Sequence, residues 1–63
     1  MEFEVIDKYT NKPLSNDEIL AEVNRDRSQE WTDYDKNDIT YHADEVLEWL
    51  DPQYFEIRYF GEV

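Results

Sequence analysis

The sequence predicts one small α+β domain, in which two helices pack on one face of a two- or three-stranded sheet in the order β-α-α-β. Three observations indicate this fold class. Segments near both ends of the chain alternate with the period of a strand, a capping box marks the start of one helix, and an apolar stripe marks a second helix. Since 63 residues lie near the lower limit of independent folding, we expect residues 1–63 to form a single domain.

The first element is a strand over residues 2–7, where polar and apolar residues alternate. This period predicts that Phe3 and Val5 face the core, while Ile6 lies on the second face. The following Thr-Asn-Lys-Pro sequence predicts a turn in which Asn11 takes a left-handed conformation. Whether a third strand forms near residues 10–14 is left open.

The first helix is predicted to begin at residues 15–16. Ser15 and Glu18 have the spacing of a capping box, in which each side chain accepts a hydrogen bond from the other residue's backbone N–H. Leu14 and Ile19 have the spacing of a hydrophobic staple around the same start. The helix is expected to end between residues 24 and 28.

The second helix is predicted over Ile39–Leu50, because positions 39, 43, 46, 47 and 50 form one apolar stripe. Asp38 is the expected N-cap, and Pro52 ends the helix because the residue before a proline avoids the helical conformation. Residues 28–38 have no clear period, which predicts a loop held in place by Trp31 and Tyr34.

The last strand is predicted over residues 54–60, which alternate and are rich in aromatic residues. Its core face carries Phe55, Ile57 and Tyr59. The first strand is the expected pairing partner, and this pairing brings Arg58 across from Glu2 or Glu4.

The composition excludes several classes of function. The chain has 17 acidic and 6 basic residues, a net charge of −11, which excludes nucleic-acid binding through basic phosphate contacts. The same charge disfavours docking on an anionic membrane, and no apolar run is long enough to span a bilayer. The absence of cysteine favours a reducing compartment, so we expect a cytoplasmic protein. Two Trp, five Tyr and three Phe argue for a folded chain rather than an acidic disordered tail.

The negative charge is concentrated between residues 28 and 51, where eight acids and one lysine give −7 over 24 residues. On the predicted second helix, Asp44 and Glu48 point away from the apolar stripe, with Tyr41 between them. One interpretation is a solvated helix face. The other is a surface that imitates a row of phosphates and binds a basic groove. The predicted partner-binding residues are Asp33, Tyr34, Asp35, Asp38, Tyr41, Asp44, Glu45, Glu48 and Asp51.

Two residues beside the apolar stripe have alternative interpretations. Trp49 is interpreted as a residue at the core boundary, although tryptophan also serves as an anchor in interfaces. His42, the one histidine, is predicted to pack its ring at the same boundary. With no cysteine and a single histidine, the chain lacks the ligands of a structural zinc site.

The segment Asp33-x-Asp35-x-Asn37 has the spacing of the first EF-hand calcium ligands, and Asp44 falls at the twelfth position of such a loop. The sixth position needs glycine and is Asp38, so no specific calcium site is predicted. We expect no metal, no cofactor and no catalytic residues, because nucleophile signatures are missing and so short a chain has little room for a buried pocket.

Three segments, residues 5–15, 17–19 and 24–32, resemble small acidic uncharacterised proteins of Gram-positive phages and prophages. Some small acidic phage proteins inhibit host enzymes that act on nucleic acid, such as restriction systems, CRISPR effectors, uracil-DNA glycosylase and RNA polymerase. The resemblance implies a similar role in the host cytoplasm. It carries over no functional residue, because the matching segments contain no functional motif.

The predicted function is therefore inhibition of a host nucleic-acid-processing protein, such as a CRISPR effector, a restriction enzyme or a DNA repair enzyme. The protein would occupy the basic groove of that partner as an acidic nucleic-acid mimic, without binding nucleic acid or membrane itself. The alternative is a small non-catalytic interaction or regulatory module that binds through an aromatic patch or an exposed sheet edge. The sequence leaves a homodimer open.

Overall fold

The computed structural model describes residues 2–29 and 32–60. In this part of the chain, three antiparallel strands form one sheet in the order β2-β1-β3, and three helices pack against one face of it. The elements are β1 (Glu2–Asp7), β2 (Lys12–Pro13), α1 (Asn16–Asp26), α2 (Lys36–Tyr41), α3 (Ala43–Leu47) and β3 (Phe55–Phe60). The predicted α+β class is confirmed, with one more strand and one more helix than the minimal β-α-α-β scheme.

β1 is the central strand and pairs with β3 over its whole length, from Glu2 opposite Phe60 to Asp7 opposite Phe55. The predicted pairing of the first and last strands is confirmed, and Arg58 lies directly across from Glu4. The guanidinium of Arg58 nevertheless donates to Glu56 on its own strand, with Nε 2.8 Å from the carboxylate oxygen.

The turn between β1 and β2 forms as predicted. Asn11 has φ of 61°, the left-handed conformation that asparagine tolerates. The Asp7 carboxylate accepts hydrogen bonds from the backbone N–H groups of Tyr9 and Thr10 and so holds the start of the turn. The turn leads into the two-residue strand β2, in which Pro13 lies opposite Ile6 at the edge of the sheet.

α1 confirms the predicted capping box. The Ser15 hydroxyl accepts from the Glu18 backbone N–H at 3.2 Å, and the Glu18 carboxylate accepts from the Ser15 N–H at 2.9 Å. The helix ends at Asp26 with Arg27 as its C-cap, within the expected range.

The single helix predicted over Ile39–Leu50 is wrong, because α2 and α3 are separate helices that meet at His42, where ψ is 40°. The predicted N-cap is also wrong. Asp35 caps α2, and Asp38 is its N3 residue, whose carboxylate accepts from the Asp35 N–H at 2.8 Å. This capping box starts the helix three residues before Ile39. A hydrogen bond from the Thr40 hydroxyl to the Lys36 carbonyl, a contact that bends helices, precedes the break.

The core lies between the sheet and the helices. Its buried members are Val5, Ile19, Val23, Ile39, Val46, Leu47 and Leu50. The apolar stripe predicted at positions 39, 46, 47 and 50 is therefore buried in spite of the helix break, with Ala43 partly buried. Ile6 is buried outside this cluster, consistent with its expected place on the second face. Tyr59 was predicted to face the core but is 54% exposed, near the end of β3.

Candidate functional site

Tyr34, one of the nine predicted partner-binding residues, is fixed by hydrogen bonds within the domain. Its backbone N–H and carbonyl are both hydrogen bonded to the Asn24 side chain, at 2.9 and 3.0 Å. Its hydroxyl accepts a hydrogen bond from Trp49 Nε1 at 3.2 Å. Tyr34 thus fixes the loop before α2, as the sequence predicted. Trp31, the other predicted anchor of this loop, and the acid Glu30 lie outside the described residues.

Three of the predicted acids have backbone partners inside the fold. Asp35 and Asp38 form the capping box of α2. The Asp51 carboxylate accepts from the Gln53 N–H at 2.9 Å, in the turn that leads into β3. These carboxylates still contribute negative charge to the surface, but their orientation is set by the turns and the helix that they cap.

The remaining four acids, Asp33, Asp44, Glu45 and Glu48, are exposed. Within residues 2–29 and 32–60, none of their carboxylates accepts a hydrogen bond or joins an ion pair. Lys36, the one lysine between residues 28 and 51, pairs instead with Asp17 of α1 at 3.2 Å. Within the described residues, no ion pair therefore offsets the charge of these four carboxylates, and we call them the free acids.

Two of the free acids share a shallow cleft with Tyr41 at the helix break. The cleft, about 360 Å³ in volume, is lined by Thr40, Tyr41, His42, Ala43, Asp44 and Glu45. The Tyr41 side chain is 76% exposed. His42 is also exposed, so its predicted packing at the core boundary is wrong. It lies at the break between α2 and α3 and not within one continuous helix, as the prediction assumed. We refer to this feature as the α2–α3 cleft.

The chemistry of the α2–α3 cleft suits a basic side chain. Carboxylates such as those of Asp44 and Glu45 form strong charge-assisted hydrogen bonds with a guanidinium or an ammonium group. The exposed ring of Tyr41 can add a cation–π contact to the same group. Glu48 and Asp33 do not line the cleft and extend the negative surface beyond it.

The acids of residues 2–29 and 32–60 are not placed to form a metal centre. Among the residues that the structure describes, no group of three His, Asp or Glu side chains is placed to hold a metal ion. The EF-hand spacing at Asp33, Asp35 and Asn37 falls across the start of α2, where Lys36–Tyr41 is helical instead of forming a calcium loop.

A second shallow cleft was not predicted from the sequence. It has a volume of about 380 Å³ and is lined by three aromatic and three charged residues, Tyr9, Tyr54, Phe55, Asp7, Glu22 and Arg25. Tyr9 is 96% exposed and Tyr54 is 55% exposed. A hydrogen bond from the Lys8 N–H to the Tyr54 carbonyl, at 2.9 Å, brings the β1–β2 turn beside the start of β3. The two tyrosines are 45 positions apart in the sequence, so only the strand pairing could bring them together.

These features define a small α+β domain with an acidic surface around a helix break. None of its helices, within the described ranges, is long and apolar enough to cross a membrane. Comparisons of the chain with protein-family models, with curated proteins and with solved structures find no match.

Proposed function

We propose that this protein is a phage-type inhibitor of a host nucleic-acid-processing protein and acts in the host cytoplasm. It binds the basic groove of a CRISPR effector, a restriction enzyme or a DNA repair enzyme as an acidic mimic of nucleic acid. The observation that carries the proposal is the set of four free acids, Asp33, Asp44, Glu45 and Glu48, which have no basic partner in the described chain.

The spacing of Asp44, on α3, and Glu48, the C-cap of that helix, supports the mimicry. Asp44 and Glu48 are four residues apart, which corresponds to a rise of about 6 Å along a helix. Two phosphate steps along one DNA strand cover about 7 Å of the duplex axis. A groove that contacts alternate phosphates can therefore contact this pair of carboxylates with a similar arrangement of Arg and Lys side chains.

Charge and an aromatic anchor act together in this proposal. The net charge of −11 attracts a basic partner over long distances and speeds the encounter. At contact, Tyr41 supplies an exposed aromatic side chain beside Asp44 and Glu45, and tyrosine is enriched among residues that dominate binding energy. Binding is non-catalytic and needs no cofactor.

The test is capture from a bacterial lysate by the immobilised protein at low salt, followed by elution with a short duplex DNA. We expect a nucleic-acid-processing protein to be released by the duplex and by salt of about 0.5 M, since both compete with the free acids. Uncharged dextran at the same mass concentration is the matched eluent and should release nothing. Bound proteins that resist both the duplex and the salt would contradict the proposal.

The second candidate function is an interaction module that binds through an aromatic patch. The cleft lined by Tyr9 and Tyr54 favours it, because it places two exposed aromatic rings together. Such binding should persist at high salt and should be lost when Tyr9 and Tyr54 are replaced by serine. The same double substitution should leave binding by the free acids unchanged, which separates the two functions.

A further inference from the structure

On the outer edge of β3, the backbone N–H groups of Ile57 and Tyr59 have no backbone acceptor within residues 2–29 and 32–60. In the order β2-β1-β3, β3 is an edge strand that pairs with β1 alone among the described residues. The hydrogen bond from Lys8 N–H to the Tyr54 carbonyl fixes the alternation of the ladder. Residues 56, 58 and 60 therefore direct their N–H and C=O groups towards β1, and residues 55, 57 and 59 direct theirs outwards. The Val5 carbonyl supports this alternation. It accepts a hydrogen bond from the Leu14 N–H on the β2 side and therefore points away from Ile57, its partner on β3.

This edge lacks several of the features that usually prevent strands from pairing, and the two charges that it does carry, on Glu56 and Arg58, are of opposite sign. The sequence from Phe55 to Phe60 contains no proline and no lysine, and its register with β1 is continuous, without a bulge. Of the outward N–H groups, that of Phe55 donates to the Asp51 carbonyl at 3.0 Å, while those of Ile57 and Tyr59 have no backbone acceptor in the described chain. On the helix side of the sheet, the Ile57 side chain is partly buried and the Tyr59 side chain is 54% exposed.

The charges of β3 select one way for two copies of this edge to pair. In an antiparallel pair of identical strands, side chains on the same face lie opposite each other when the two-fold axis passes through a residue. An axis at Glu56 would oppose two glutamates, and an axis at Arg58 would oppose two arginines. An axis at Ile57 places Glu56 of each copy opposite Arg58 of the other.

We propose that β3 is a self-association edge, through which two copies pair antiparallel about Ile57 to form one continuous six-stranded sheet. The N–H of Ile57 donates to the Ile57 carbonyl of the second copy, and the N–H of Tyr59 donates to the Phe55 carbonyl, each in both directions. Within each chain, Arg58 Nε lies 2.8 Å from the Glu56 carboxylate. In the dimer, each of these two side chains would also lie opposite the oppositely charged side chain of the second copy.

Salt separates this inference from the proposed function. Each copy carries a net charge of −11, so the two copies repel each other at long range, and added salt should strengthen their association. Binding of a basic groove by the free acids should respond in the opposite direction. Failure of one proposal therefore leaves the other intact.

The test is sedimentation equilibrium of the full chain at 0.05 and 0.5 M NaCl, with charge substitutions on β3. We expect a monomer–dimer equilibrium that shifts towards the dimer at high salt. Glu56→Arg and Arg58→Glu should each weaken the dimer at least tenfold, because each places like charges across the axis. The two variants change the net charge in opposite directions, so a shared loss cannot arise from overall repulsion.

Two further measurements test the register in which the two copies of β3 pair. The double variant Glu56→Arg with Arg58→Glu should restore the dimer, and an equimolar mixture of the two single variants should form a one-to-one heterodimer. Far-UV circular dichroism checks that each variant stays folded. A wild-type chain that remains monomeric up to about 1 mM at 0.5 M NaCl would overturn the proposal, as would single variants that dimerise like the wild type. In the first case, a strand from a different protein would be the better candidate for this edge.

Discussion

The guanidinium group of Arg27 lies over the ring of Tyr34, with its central carbon 3.8 Å from the ring centre. The same carbon is 5.5 Å from the ring of Trp49, which donates its indole N–H to the Tyr34 hydroxyl. Arg27 Nε is buried there without a hydrogen-bond partner in the described chain, so the guanidinium is held partly by the aromatic rings. This cluster joins the C-cap of α1, the loop before α2 and the segment that follows α3.

The first prediction concerns Asn24, which holds the same loop. Asn24→Asp removes the donor to the Tyr34 carbonyl and places a carboxylate beside that oxygen. We expect the free energy of unfolding to fall by about 1–3 kcal/mol, because a part-buried acceptor loses its partner. Urea unfolding measures the change. Asn37→Asp makes the same chemical change at an exposed residue and should have little effect; equal losses in the two variants would contradict the role of Asn24.

The second prediction concerns the core side of α3. Val46 is fully buried, so Val46→Asp brings an unpaired carboxylate into the apolar cluster at a cost of several kcal/mol. A domain of this size has only about 3–9 kcal/mol of total stability, so we expect the cooperative thermal transition to disappear. Thr40→Asp adds the same charge on the exposed side of α2 and should keep the transition. A variant at Val46 that melts normally would mean that α3 does not pack as described.

The third prediction concerns salt and stability. The described ion pairs are at least partly exposed and contribute little, whereas the net charge of −11 opposes compaction. We therefore expect the melting temperature of the monomer, measured at low protein concentration, to rise as NaCl increases from 0.02 to 0.5 M. Asp44→Lys changes the net charge from −11 to −9 and should therefore reduce the rise in melting temperature that salt produces. A melting temperature that does not change with salt would show that repulsion among the acidic residues contributes little to the free energy of unfolding.

The fourth prediction localises partner binding to the α2–α3 cleft. Asp44→Lys and Glu45→Lys should each weaken binding to a captured partner by about 2–5 kcal/mol, if the carboxylate faces a desolvated Arg or Lys. The matched control is Asp26→Lys, which makes the same charge change at an exposed residue at the end of α1. Isothermal titration calorimetry with the purified partner measures both.

Asp26 is a better control than the other acids of α1. Glu18 belongs to the capping box of that helix, Glu22 pairs with Arg25, and Asp17 pairs with Lys36. Reversing any of those charges would remove a helix cap or an ion pair as well as change the surface charge, so its effect on binding would have two causes. If Asp26→Lys weakens the partner as much as Asp44→Lys does, only the net charge matters and the cleft is not the site.

The elements that could be predicted are those whose signals are local. The Ser15–Glu18 capping box, the left-handed Asn11 and the alternation of β1 and β3 each depend on residues within one turn or one strand. The break at His42 escaped prediction because the apolar stripe continues across it without a change of period. Residues 39–42 are all of moderate helix propensity, a signal too weak to predict a break because tertiary context routinely overrides it.

The candidate site was predictable as a concentration of charge but not as an arrangement. The sequence shows the acids between residues 28 and 51, yet it cannot tell which carboxylates cap a turn, as Asp51 does, and which stay free, as Asp44 does. That division depends on where helices begin and end. The cluster of Arg27, Tyr34 and Trp49 could not be predicted from the sequence for a similar reason, because its members come from three separate segments of the chain.

The pairing of β1 with β3 also has a consequence for biosynthesis. Glu2 lies opposite Phe60, so the middle strand of the sheet is made first and its long partner is made last. At about 5–20 residues per second, the ribosome needs several seconds to add the intervening chain. During that time β1 can pair only with the two residues of β2, and one of its edges stays open. The sheet can therefore be completed only after β3 has left the exit tunnel.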